Sequence, residues 1–148
     1  MTKILLIEDN TDVRLLLGRR LAAHRFEILE AADGKSGLEQ AQRGRPDLIV
    51  LDLNLPGEDG FKVYQSLRQE EAMREIPVLF LTAVSTGGKM TAESLALIAT
   101  AKHGILLQGR YAVMGKPYEP RELVERIRQL LEESRGSEAQ LHEDNQAT

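Results

Sequence analysis

Cysteine is absent from the 148-residue sequence, which excludes disulfides, thiolate metal sites and a cysteine nucleophile and fits a reducing cytosol. Positive charge is not in excess either: 19 Lys and Arg stand against 23 Asp and Glu, a formal net charge of -4. Nucleic-acid backbones are gripped by clustered Lys and Arg, so direct nucleic-acid binding is not expected, and proteins or small ligands are the expected partners. Long apolar runs are also missing. The run Ile4 to Ile7 is too short for a signal-peptide core, and nothing approaches the ~20 apolar residues of a membrane span. A cytoplasmic chain with no membrane partner is expected, of a length that suits one domain with a single core.

What is present alternates between two periodicities. The stretch LIVLDLNLPGEDG, Leu48 to Gly60, begins with four apolar residues, stops on Asp52 and breaks into turn formers. An apolar run without polar alternation reads as a strand covered on both faces, with Asp52 at its carboxyl end. Further strands are predicted at Ile4–Ile7, around Phe26 and Ile28 to Ala31, at Val78–Thr82 and at Tyr111–Gly115. Between them, helical spacing predicts one face of Val13, Leu16, Leu17 and Leu21, and another of Phe61, Tyr64 and Leu67. Asp33-Gly34 reads as a turn before a short helix with Leu38 and Ala41 that closes at Gly44. A last helix from about Pro120 buries Leu123, Val124, Ile127, Leu130 and Leu131. Strand and helix alternating in this way imply right-handed crossovers and an α/β fold: a doubly wound, five-stranded parallel sheet with helices on both faces.

That architecture delivers every strand's carboxyl end to one edge. Glu8 and Asp9 follow the first strand, Asp52 the third, Thr82 the fourth and Lys116 the fifth. Two carboxylates about 4 Å apart repel by ~4 kcal/mol at an effective dielectric near 20, so three together call for a cation. A sparse set of oxygen ligands suits Mg²⁺, and a metal, a hydroxyl and an ammonium surround a space fit for a phosphoryl group. Taken singly, each residue has a plainer reading. Asp52 could cap a turn, Glu8 and Asp9 could complement a helix N-terminus, and Thr82 and Lys116 could be ordinary strand and surface residues. Their convergence on one edge favours the functional reading. His24, His103 and His142 lack metal-ligand spacing, and Gly87-Gly88-Lys89 lacks the first glycine and the hydroxyl of a phosphate loop.

The segments ILLIEDN, DLIVLDLNLPGEDGFKV, VLFLTA and GKPY together resemble the receiver domain of two-component response regulators over roughly residues 3 to 131. The resemblance implies a flavodoxin-like, receiver-type fold and a signalling switch rather than an enzyme. In it Asp52 takes a phosphoryl group from a sensor histidine kinase or phosphotransfer protein and passes the signal to a downstream protein. It further implies Mg²⁺ held by Asp9 directly, by Glu8 through water, by Asp52, and by the backbone carbonyl of Asn54. Thr82 and Lys116 would contact the phosphoryl group, and Lys116-Pro117 would be a cis peptide. The family usually carries an aromatic residue three positions before the lysine; here that place is Val113, and Tyr111 lies one pleat further out. Phosphatases of the haloacid dehalogenase type also use a strand-end Asp with Mg²⁺, but Asp52-Leu53-Asn54 lacks their second acid. The other alternative is a receiver-like interaction module that is never phosphorylated, against which the complete residue set counts.

Two segments stand outside this pattern. Thr82 to Lys116 spans 34 positions, about a dozen more than one ordinary helix of ~11 residues with two short loops needs. An insertion is therefore expected between strands 4 and 5. It would comprise a glycine-marked, flexible approach at Gly87-Gly88, a helix from near Thr91, and the cluster Ile105, Leu106, Leu107 either buried or forming a homodimer or partner surface within residues 87–131. The receiver domain is expected to occupy residues 1–133, and the polar segment 134–148, with Leu141 its one large apolar residue, reads as a disordered tail or linker. A stand-alone receiver is the expectation.

Overall fold

The computed structural model describes residues 1–83 and 90–146, with residues 135–146 described as backbone only. Five strands and five helices alternate: β1 Lys3–Ile7, α1 Thr11–Ala23, β2 Glu27–Ala31, α2 Gly34–Gly44, β3 Leu48–Asp52, α3 Gly60–Gln69, β4 Val78–Ala83, α4 Ala92–His103, β5 Tyr111–Lys116 and α5 Pro120–Gln146. All pairings are parallel, in the order β2-β1-β3-β4-β5. β3 is central and all five of its residues are buried, which is why its sequence shows no polar alternation.

The sheet divides the core in two. Leu17 and Leu21 of α1 and the α5 residues Leu123, Val124 and Ile127 cover one face. Ala41 of α2, Phe61, Tyr64 and Leu67 of α3, and Leu95 and Ala99 of α4 cover the other. Each fully buried side chain of this kind contributes roughly 1.5–3 kcal/mol through lost apolar surface. Helix starts are set by side-chain caps: Asn10 accepts from the Val13 N–H at 3.0 Å, Asp33 from Ser36 at 2.8 Å and Asp59 from Phe61 at 2.9 Å. Each cap is worth about 1 kcal/mol. Asp33 is thus a helix cap with a reciprocal bond to Ser36 rather than part of a free turn. At the other end of α2, Gly44 permits close packing, because a Cβ there would lie 2.3 Å from a Leu29 methyl carbon.

Three expectations need revision. Val13 and Leu16 are 38% and 54% exposed, so the buried stripe of α1 narrows to Leu17 and Leu21. Helix α5 runs to Gln146, past residue 134 where the sequence suggested a disordered tail. Between β4 and β5, α4 has 12 residues, with Thr91 as its cap, and neither a longer helix nor an extra strand occurs among the described residues. The described part of the surplus falls in residues 104–110; Gly87-Gly88-Lys89 lies outside the described residues.

Segment 104–110, which follows α4 in the chain, packs alongside α3. His103, the last residue of α4, places its Nδ1 2.7 Å from Asp59 and its ring 4.8 Å from that of Phe61, at the start of α3. Ile105 is then buried, Leu106 is 70% exposed, and the Gln108 carbonyl accepts from the Tyr64 hydroxyl and from Arg68 Nε. The Arg68 guanidinium also donates to the carbonyls of Met73, Ile76 and Arg110 at 3.3, 2.7 and 2.9 Å, tying the end of α3 to the approaches of β4 and β5.

Candidate functional site

Strand order reverses between β1 and β3, and in open parallel sheets the crevice beyond the carboxyl ends at such a point is where ligands bind. β1 delivers Glu8 and Asp9 there and β3 delivers Asp52. One oxygen from each of the three carboxylates lies within 4.8 Å of the others. Glu8 and Asp52 are 3% and 2% exposed, and Asp9 is the least buried of the three. From the end of β5, Lys116 Nζ reaches Asp52 Oδ2 at 2.6 Å. The other Asp52 oxygen accepts from the Asn54 N–H at 2.8 Å. Glu8 Oε1 accepts from the Asn10 N–H at 3.3 Å, while its buried Oε2 has no hydrogen-bond partner.

Burial, hydrogen bonding and neighbouring charge shift the two buried carboxyls in opposite directions. Burial, the hydrogen bond with Asp52 and the Asp52 charge push the Glu8 carboxyl up to about 8 from an ordinary 4.5. For Asp52, burial acts upward but is outweighed by hydrogen bonds from Glu8, Lys116 and the Asn54 N–H, which hold its carboxyl below the ordinary 3.8. Burial and the charges of Glu8 and Asp52 push the nearby Tyr118 hydroxyl up to about 12. Of the two buried acids, Glu8 is therefore the one that releases its proton less readily. Three acids against one lysine, all-oxygen donors and an unpartnered buried Glu8 oxygen fit a small hard divalent cation such as Mg²⁺.

Two cavities meet at this edge. One of about 670 Å³ is bordered by Glu8, Asp9, Asp52, Lys116 and Tyr118. The exposed Val13 and Leu16 border it as well, which accounts for their departure from the core. Thr82, one residue beyond the partner of Asp52 in the β3–β4 register, borders the adjoining cavity of about 500 Å³ with Phe61, Leu95 and His103. Asn54 borders both, and its side-chain oxygen accepts from the Ala83 N–H at 2.9 Å, which bridges the ends of β3 and β4. The sheet thus brings Glu8, Asp9, Asp52, Asn54 and Lys116 around one space, with Thr82 at its margin.

The Lys116-Pro117 peptide is cis. Val113 is buried opposite Phe80. Tyr111 pairs with Val78, at the opposite end of the strand from Gly115, the partner of Thr82, and its ring lies 6.0 Å from Phe80 and 6.2 Å from Tyr64. The rings that border the Thr82 cavity are those of Phe61 and His103.

The sequence profile of the response regulator receiver domain matches residues 4–128. The chain belongs to this family. Among its relatives, a probable transcriptional regulator ycf27 of Porphyridium aerugineum is 36% identical over 87% of this chain and 48% of its own length. The alkaline phosphatase synthesis transcriptional regulatory protein PhoP of Bacillus subtilis is 35% identical over 89% of this chain and 49% of its own. The receiver chain spans about half the length of these curated relatives. Among solved structures, the chemotaxis protein CheY4 of Vibrio cholerae superposes with a TM-score of 0.71 at 25% identity, covering 88% of this chain and 98% of that one. The receiver domain of the Pseudomonas aeruginosa sensor histidine kinase PA1611, solved with magnesium coordinated in its active-site cleft, gives 0.70 at 25% identity over 88% and 97%. The receiver fold is thus the doubly wound one expected, and the chain is a two-component signalling domain.

Two residues of this receiver site escaped the sequence reading. Tyr118 sits directly after Lys116-Pro117, so its place at the edge could have been inferred from GKPY. Arg14 donates to the backbone carbonyl of Glu8 at 2.8 Å, yet in the sequence it is one more charged residue on an amphipathic helix.

Proposed function

We propose that Asp52 is the phosphoacceptor of a phosphorylation-dependent signalling switch. A carboxylate oxygen of Asp52 attacks phosphorus, the N–P bond of a phosphohistidine on a sensor histidine kinase or phosphotransfer protein breaks, and the imidazole leaves with its electron pair. Mg²⁺, when bound, supplies positive charge against the phosphoryl oxygens. Glu8, Asp9, Asp52 and Asn54 would hold it. Lys116 neutralises the approach of two anions, and the Asn54 N–H fixes the carboxylate's orientation. Thr82, beside this space, is the hydroxyl available to a phosphoryl oxygen. The observation that carries the reading is the 2%-exposed Asp52 carboxylate, paired with Lys116 and flanked by two further acids. Asn54 occupies the position of the second acid of a phosphatase, and its amide oxygen is engaged by Ala83, which disfavours acid–base turnover there.

Incubation with acetyl phosphate and Mg²⁺ tests the assignment. Intact mass is expected to show one acyl phosphate, stable in acid and labile in base, that is abolished by Asp52→Ala and by a chelator. Labelling that survives either change overturns it.

The working unit is residues 1–133, with 134–148 as a tail or linker that starts as a continuation of α5. No helix among the described residues is long and apolar enough to cross a membrane. A cytoplasmic location follows from the partners proposed. Downstream, the chain would act through a protein partner or a second copy of itself, with Leu97 and Leu106, each 70% exposed, as the apolar contacts within residues 90–131. Leu106→Glu is expected to leave acetyl-phosphate labelling intact and abolish phosphorylation-dependent dimerisation in light scattering; a monomer in both states removes the homodimer.

A further inference from the structure

The geometry points to Arg14 as a positioning residue for the cation site, one that sets the direction of the Asp9 carboxylate without touching the ion. This rests on the reading that Asp9 is a ligand. Arg14 lies in the first turn of α1, and one nitrogen of its guanidinium faces two carbonyls, that of Glu8 at 2.8 Å and that of Asp9 at 3.5 Å. Those carbonyls belong to the two peptide planes that flank the Asp9 Cα. Rotation about either backbone bond of Asp9 swings one of them away from the guanidinium, so a single side chain restrains both dihedrals and with them the line along which the Asp9 side chain leaves the backbone. The guanidinium is itself oriented from behind. Arg14 Nε lies 3.5 Å from Glu30 Oε1 on β2, and the Arg14 side chain is only 16% exposed. The turn is fixed on its other side by the Glu8 N–H, which donates to the Ala31 carbonyl at 3.0 Å. Glu8 to Asn10 is therefore clamped between β2 and α1, and its carboxylates are turned towards Asp52.

A cation so near a metal site invites the opposite expectation, that its field repels the incoming ion. The sign of the effect decides between them. Mg²⁺ binding by the full chain is measured by calorimetric titration for the wild type, Arg14→Lys, which keeps the charge and loses the fork, and Arg14→Met, which keeps the stem and loses the charge. Positioning predicts weaker binding in both, by about tenfold, the scale of outer-shell losses at metal sites. Tighter binding in Arg14→Met with Arg14→Lys unchanged means the field dominates and overturns the proposal. Lowered thermal stability with wild-type Mg²⁺ affinity in both also overturns it, since the role is then purely structural. Glu30→Gln, which leaves Arg14 in place and frees its Nε, is expected to weaken binding in the same direction by less and serves if the Arg14 variants do not fold; unchanged affinity there counts against the proposal. Asp9→Asn is the control for the underlying reading: if it binds Mg²⁺ as well as the wild type, the ligand assignment fails, whatever the Arg14 variants do.

Discussion

Replacing Glu8 by Gln is expected to stabilise the cation-free protein. The Glu8 carboxyl is 3% exposed, its Oε2 lacks a partner, and burial together with Asp52 pushes it up to about 8. An acid raised in this way keeps a proton in the folded state that the unfolded chain has released. Stability is therefore lost as pH rises from the ordinary 4.5 towards about 8. Each pH unit within that window removes ~1.4 kcal/mol, so the penalty reaches about 3 kcal/mol by pH 7. Asp52 is shifted the other way, below 3.8, and its contribution is constant over this window. Gln has the same shape and never ionises, so it removes the cost of burying a charge beside Asp52. Urea unfolding in a chelator at pH 5, 7 and 8 measures the effect, with the advantage of Glu8→Gln growing with pH. Saturating Mg²⁺ is expected to narrow the gap, because a ligand at a hundred times its Kd stabilises the wild type by ~2.7 kcal/mol. A variant less stable than the wild type in chelator at pH 7, or a difference independent of pH, refutes the reasoning.

On the proposed ligand set, with Asp9 direct and Glu8 through water, Asp9→Asn is expected to weaken Mg²⁺ binding more than Glu8→Gln; calorimetric titration with equal or reversed losses would reassign the ligands. Lys116→Met strips the counter-charge from a buried carboxylate and is expected to cost about 2–3 kcal/mol in urea at pH 7, less than a fully buried pair because the lysine side chain is 31% exposed. That cost should shrink as pH falls through the Asp52 range, since Lys116 helps hold Asp52 below 3.8. Arg68→Ala leaves four carbonyls without their shared donor and is expected to cost about 3 kcal/mol in the same assay, with little recovery in Arg68→Lys, which keeps the charge but not the fork.

Where burial alone determines structure, the sequence was legible. β3 sits where its unbroken apolar run indicates, and all five apolar positions expected on α5 are buried. The strand-end residues could be read as one site because a parallel sheet leaves their strands no other edge to reach. Periodicity misjudged Val13 and Leu16 because it marks a stripe without marking where a cavity interrupts it. It also saw the surplus between β4 and β5 without its path. That path depends on Arg68 and Asp59, whose partners lie 40 or more positions away. Arg14 was missed for the same reason: its partners are carbonyls, and every residue has one.

The two ends of segment 104–110 are held by different kinds of contact. At the His103 end an imidazole meets the Asp59 carboxylate and the Phe61 ring, and the backbone of Gly104 and Ile105 bonds back to α4, whereas at the Arg110 end one guanidinium gathers four carbonyls from two stretches of chain, 73–76 and 108–110. The first end lies beside the cavity that Thr82 borders, and the second at the opposite end of the β4–β5 pair. Segment 104–110 is thus a span with one foot beside the candidate site and the other on the Arg68 anchor, and the exposed Leu106 lies between the two.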